Sequence, residues 1–188
     1  MRRVVAVGAA VVGVAAAAGG AVLHWWPRDR VFPGRARWVL ERPEVVEIYT
    51  LDPAPAAYSP PWPHGGKFGE WDYFGKAGIG NEARQRGVIA AVEDDIDMDQ
   101  EGAWTKCFEP RHALRVQRGG YVVTIEICYS CHMVRITEGK DYRWHRIKGT
   151  SHAVLDAALV AEGLRPVPER DPAEGAVGSS ASEAVGTR

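Results

Sequence analysis

The chain has 188 residues, with 23 lysines and arginines against 24 aspartates and glutamates, a formal net charge of -1 and 46% hydrophobic residues. That balance lacks the basic excess needed to neutralise phosphates, which excludes nucleic acid as a partner. The length suits one domain of ordinary size once both ends are set aside, and the apolar fraction is sufficient for a core.

Met1-Arg2-Arg3 precedes an uncharged run over residues 4–23, a basic start and an apolar body of the kind found in export signals. A run of about 20 residues can also span a bilayer, and Trp25-Trp26 would then sit at the interface. Residues 1–23 are read as a signal sequence or transmembrane anchor, with the membrane as the partner of this segment. Cleavage beside Ala15-Ala16-Ala17 would give a secreted form. Arg28, Arg30, Arg35 and Arg37 outnumber Arg2 and Arg3 and favour a cytoplasmic domain by the positive-inside rule. The basic N-terminus before the first apolar segment favours the opposite, and the domain is placed outside the cell membrane. Residues 24–43, with Pro27 and mixed charges, read as a linker.

The folded domain is expected over residues 44–167. Residues 44–51 (EVVEIYTL) are rich in β-branched and aromatic side chains and stop at Asp52-Pro53, a strand and a turn. Residues 54–67 hold four prolines and two adjacent glycines and read as an irregular loop. A second strand fits residues 71–77. Asn81 can cap a helix running to about Asp95, with Val88, Ala91 and Val92 on its apolar stripe. The carboxylates that follow, at Asp95, Asp97 and Asp99, mimic the opening of a calcium loop. Neither register supplies both the glycine at position six and the glutamate at position twelve, so a solvated acidic helix end is expected instead.

Gly119-Gly120 joins residues 111–118 to 121–128 as a two-residue hairpin. Counting back from the turn pairs Val116 with Val123, Leu114 with Ile125, His112 with Ile127 and Arg111 with Cys128. Leu114, Val116, Val123, Ile125 and Ile127 then share the core face, whereas Cys128 lies on the other. Residues 133–137 and 142–147 read as two more strands. Thr150 or Ser151 can start a last helix that Gly163 ends, and residues 168–188 read as a disordered tail. The expected class is α+β, an antiparallel sheet of about five to six strands packed against two helices behind the N-terminal apolar segment.

All three cysteines fall in two short segments, Cys107-Phe108-Glu109-Pro110-Arg111-His112 and Cys128-Tyr129-Ser130-Cys131-His132. Four residues separate Cys107 from His112, fifteen separate His112 from Cys128 and two separate Cys128 from Cys131, close to the spacings of zinc sites. A structural metal site of Cys107, Cys128, Cys131 and His112 is one expectation, with zinc as the cofactor. The hairpin register opposes part of it, because His112 points to the apolar face. A disulfide is the second, favoured by an oxidising compartment, and it leaves one thiol over. Its sharper variant is thiol-disulfide redox chemistry, against which stands the position of the pair between two strands. The third is haem c, with thioethers at Cys128 and Cys131 and His132 as the proximal ligand, an electron-transfer alternative. The surrounding sheet pattern gives little that would wrap a haem. Hydrolase, P-loop and dinucleotide motifs are missing from the sequence, so no catalytic residue is assigned.

The stretches VVEIYTLDP, WDYFGKAGI, CFEPRHALR, the glycine hairpin into ICYSC and the closing helix resemble, in that order, a family of small uncharacterised bacterial exported or lipoprotein-like proteins. The resemblance covers residues 44–164, and its specific parts are the paired CFEPRH and ICxxC segments. It implies a compact α+β domain at the cell envelope and no defined activity or protein partner. The chain departs from the family in lacking a lipobox cysteine and in carrying His132 after the second cysteine of the pair.

Overall fold

A computed structural model describes residues 31–32, 34–52, 60–101 and 108–168, the side chains of residues 98–101 excepted. The apolar run of residues 4–23, Cys107 and residues 169–188 lie outside the described residues. Among those described, no helix is long and apolar enough to cross a membrane.

The class is α+β, with more elements among the described residues than the sequence pattern suggests: eight strands in one sheet and three helices. In chain order these are α1 (Gly34–Glu41), β1 (Val45–Asp52), β2 (Gly66–Phe68), β3 (Trp71–Gly78), α2 (Glu82–Asp95) and β4 (Ile96–Glu101). After them come β5 (His112–Arg118), β6 (Tyr121–Cys128), β7 (Met133–Glu138), β8 (Asp141–Ile147) and α3 (His152–Ala161). The spatial order is β2-β3-β1-β5-β6-β7-β8-β4, and every neighbouring pair is antiparallel. The chain therefore passes, by way of α2, from the β3 side of the sheet to the edge beyond β8.

The central hairpin has the register counted from its turn, with Arg118 opposite Tyr121, Leu114 opposite Ile125 and His112 opposite Ile127. Gly119 and Gly120 both have positive φ, 52° and 78°, as a two-residue loop of this twist requires. Alternation then divides the sheet. Val46, Ile48, Leu114, Val116, Val123, Ile125, Ile127, Val134 and Ile136 face the helices, where they meet Ala36, Val39 and Leu40 of α1, Val88, Ile89 and Val92 of α2, and Leu155, Ala158 and Leu159 of α3. The opposite face carries two smaller apolar clusters, one around Tyr49, Leu51, Phe68 and Ala113, the other around Phe108, Cys128 and Met133.

Three elements depart from the sequence expectation. Residues 34–41, read as linker, form α1, because Ala36, Val39 and Leu40 at spacings of three and one make a narrow apolar stripe that docks on the sheet. Arg118 fixes this helix by donating to the Trp38 carbonyl at 2.7 Å and stacking its guanidinium 4.0 Å over the Trp38 ring. At the acidic end of α2 Asp94 is exposed as expected, but Asp95 is fully buried, and the chain after it runs extended as β4, with Ile96 opposite Ile147 and Asp97 opposite Arg146 on β8. Finally, Gly66–Phe68, overlapping the end of the expected loop over residues 54–67, turns back through Gly69 (φ 59°) to pair with β3.

Candidate functional site

The turn from β6 to β7 positions the chemistry of the molecule on both faces of the sheet. Cys128, the last residue of β6, is fully buried beside Phe108 and Met133, with Trp71, Trp144 and Cys131 at the margin of the same cluster. Cys128 and Cys131 are at disulfide distance, with 5.6 Å between their Cα atoms. The turn closes with the His132 amide donating to the Tyr129 carbonyl at 3.1 Å, and His132 itself is exposed in the left-handed region at φ 52°.

Alternation sends the neighbouring side chain, Tyr129, the other way. It is buried in the helix-side core, where its hydroxyl pairs with Ser151 Oγ at 2.7 Å. Ser151 donates in turn to Asp95 Oδ2 at 2.6 Å, and Asp95 Oδ1 accepts from the Thr150 amide at 2.6 Å and the Thr150 hydroxyl at 2.8 Å. Burial alone would raise the Asp95 carboxyl, but these hydrogen bonds from Ser151 and Thr150 outweigh it and hold the group below the usual range. Ser151 thus spends its hydroxyl on Asp95 and does not cap α3 through its side chain.

His112, at the start of β5, is completely buried on this same side. Its Nε2 lies 2.7 Å from Asp156 Oδ1 on α3, and the imidazole holds the Asp156 carboxyl below its ordinary value. His152, one turn before Asp156 on α3, places Nε2 3.5 Å from Asp156 Oδ2 and stacks on the Tyr129 ring at 4.3 Å between centroids. The His112 ring meets both Tyr129 and His152 edge-on at 5.3 Å. Two histidines, a carboxylate and a tyrosine therefore form one packed group under the first turn of α3.

The residues expected to hold zinc are thereby distributed over the two faces. Cys128 and Cys131 come together, His112 faces the helices, and Cys107 lies outside the described residues. The cause is the period-two alternation of the hairpin, which puts His112 opposite Ile127 and one position out of phase with Cys128. His132, the proximal ligand of the haem alternative, adjoins the paired cysteines but packs its ring toward Gly149, near 3.7 Å from the position a Cβ would take there. As a metal ligand His112 is expected from the sequence only beside the cysteines. The signal for its true neighbours was His152 and Asp156 at a spacing of four on a predicted helix, which shares one helical face.

The face of the sheet away from the helices carries a second feature, an open groove of about 560 Å³ lined by Tyr49, Phe68, Arg115, Glu126, Arg135 and Tyr142, among others. Its charges are paired. Arg115 donates to Glu47 at 3.0 Å, and Arg135 bridges Glu126 and Glu70, the latter at 2.6 Å. Burial pushes the Glu126 carboxyl up, against the opposing pull of Arg135. For Glu47 burial acts upward too, but Arg115, the Tyr49 hydroxyl and Lys76 prevail and hold it low.

No family model matches this chain, and no curated protein or solved structure gives a significant match.

Proposed function

We propose that this chain is an exported or membrane-tethered domain without catalytic activity, in which the Cys128–Cys131 disulfide is a structural brace. The observation that carries this reading is the burial of Cys128, which is fully enclosed beside Phe108 and Met133 at the end of a strand. A redox pair presents its attacking thiolate to solvent, commonly at a helix N-terminus that lowers its pKa. Here the first cysteine of the pair is inaccessible and the turn lies between β6 and β7. Two thiols joined to each other are also unavailable for zinc or for haem thioethers, which is why the disulfide is preferred over the metal and haem readings of the same residues.

A disulfide of this kind persists in an oxidising compartment, in keeping with an export signal over residues 1–23. The brace fixes the turn that sends Tyr129 toward α3, and it leaves the groove on the opposite face as the surface for a ligand. A groove combining aromatic rings with paired charges is suited to binding, and among the described residues no serine, cysteine or histidine lines it. The test is an insulin-reduction assay together with a visible spectrum and thermal unfolding of the exported, purified chain. The expected result is a colourless protein with no reductase turnover and a lower Tm in reductant. Turnover, a Soret band, or a Tm indifferent to reductant would each overturn the reading.

A further inference from the structure

We infer that His112, His152 and Asp156 form a binding site for a divalent transition metal of the zinc class, on the helix side of the sheet and separate from the cysteine turn. Their ligand atoms all lie within 4.8 Å of one another, with His112 fully buried and the other two partly exposed. The donor set is two imidazoles and one carboxylate, the three-ligand composition that leaves a fourth position for water or a ligand. His152 and Asp156, four apart on α3, project from one helical face, as paired ligands on metal-binding helices do. His112 is contributed by β5, so strand and helix together hold the group in place. The 3.5 Å between His152 Nε2 and Asp156 Oδ2 already matches the edge of a tetrahedron with bonds near 2.0–2.1 Å. His112 approaches the other carboxylate oxygen, Oδ1, at 2.7 Å, so the two imidazoles flank the two oxygens of one carboxylate, and the His112 contact opens by about 0.6 Å when a metal replaces the bridging proton.

The burial of His112 bears on how the ring is held. Its Nε2 faces Asp156 and is the nitrogen available to a metal. Nδ1 lies on the other edge of the ring, buried and without a hydrogen-bond partner among the described residues, so the outer hydrogen bond that commonly orients a metal-bound imidazole is replaced by packing against Tyr129 and His152. The surroundings also fit a resident ion. Tyr129 covers His152 with its ring, and its hydroxyl is anchored through Ser151 to Asp95, which holds that side of the group in place. The partial exposure of His152 and Asp156 gives the ion a route in.

The experiment uses the full chain, purified without a histidine tag, oxidised, and carrying Cys107→Ser so that with the disulfide intact no free thiol remains. After chelator treatment it is titrated with Zn(II) by calorimetry, and with Co(II) followed by visible absorption. The inference predicts one Zn(II) per chain and a Co(II) spectrum of a low-coordinate nitrogen and oxygen site without thiolate charge transfer. His152→Ala and Asp156→Asn should each weaken binding at least ~10-fold, with circular dichroism showing that both remain folded. His152→Gln provides a third variant should Asp156→Asn fail to fold. No binding in the micromolar range, a stoichiometry far below one, thiolate charge transfer, or equal affinity in His152→Ala and the parent would overturn it.

Discussion

Opening the disulfide alone, without disturbing the core, measures what the brace contributes. Cys131→Ala in a Cys107→Ser background does this, because Cys131 is only partly buried whereas Cys128 keeps its packing against Phe108 and Met133. The two cysteines are three apart in sequence, so the loop removed from the unfolded ensemble is among the shortest possible. The chain-entropy relation for a loop of about four residues gives about 2 kcal/mol at 25 °C. For a domain of this size that corresponds to a fall in Tm of about 6–8 °C. Urea unfolding of parent and variant, each with and without reductant, is the assay. The parent should lose about 2 kcal/mol on reduction, and the variant should be insensitive to reductant. A parent as stable reduced as oxidised would refute the argument, as would a variant that matches the oxidised parent.

Three further outcomes follow from the polar groups and the hairpin turn. Asp95→Ala should destabilise by about 3 kcal/mol in urea unfolding, since Thr150 and Ser151 lose an ionised acceptor in a buried setting. The folded Asp95 pKa lies below its unfolded value, so its contribution is present at neutral pH and disappears as pH falls through the folded value, and the deficit of the variant should shrink as the pH is taken below the ordinary carboxylate value of 3.8. Arg135→Met leaves Glu126 buried without its principal cation and should cost about 3 kcal/mol at pH 7.5. Glu126 is already raised by burial and rises further in the variant, so protonation removes the penalty as pH falls, and the measured loss should be smaller at pH 5 than at pH 7.5. Gly119→Ala should lower stability by about 1–2 kcal/mol, more than Gly120→Ala in the same calorimetric scan: both have positive φ, but only at Gly119 does a Cβ come within 2.9 Å of the Trp38 ring.

The sheet was legible wherever the local pattern and the turn chemistry agreed. Gly119-Gly120 fixes the register of β5 and β6, and that register in turn puts His112 and Cys128 on opposite faces. α2 was legible from the Asn81 cap, whose Oδ1 accepts from the Arg84 amide at 3.0 Å. β4 was hidden because its first polar residue follows an acidic helix end. Asp95, which looks like one more solvated carboxylate, is buried by hydrogen bonds from Thr150 and Ser151, residues more than fifty positions away. α1 was hidden because its arginines alternate with a stripe of only three buried side chains, Ala36, Val39 and Leu40. The pairing of Cys128 with Cys131 was one of several options that spacing permits, and only the turn geometry selects it. The histidine group was legible only in part: His152 and Asp156 share a helical face, but His112 and Asp156 are 44 residues apart, and no local pattern connects a strand start to a helix that packs over it.

The central claim, a buried disulfide at Cys128 and Cys131, is tested most directly by alkylating the exported chain under denaturing conditions and measuring its mass with and without prior reduction. The account predicts one alkylated cysteine before reduction, all three after it, and a peptide linking Cys128 to Cys131 in the unreduced digest. Three alkylated cysteines before reduction, or a linkage to Cys107, would contradict it.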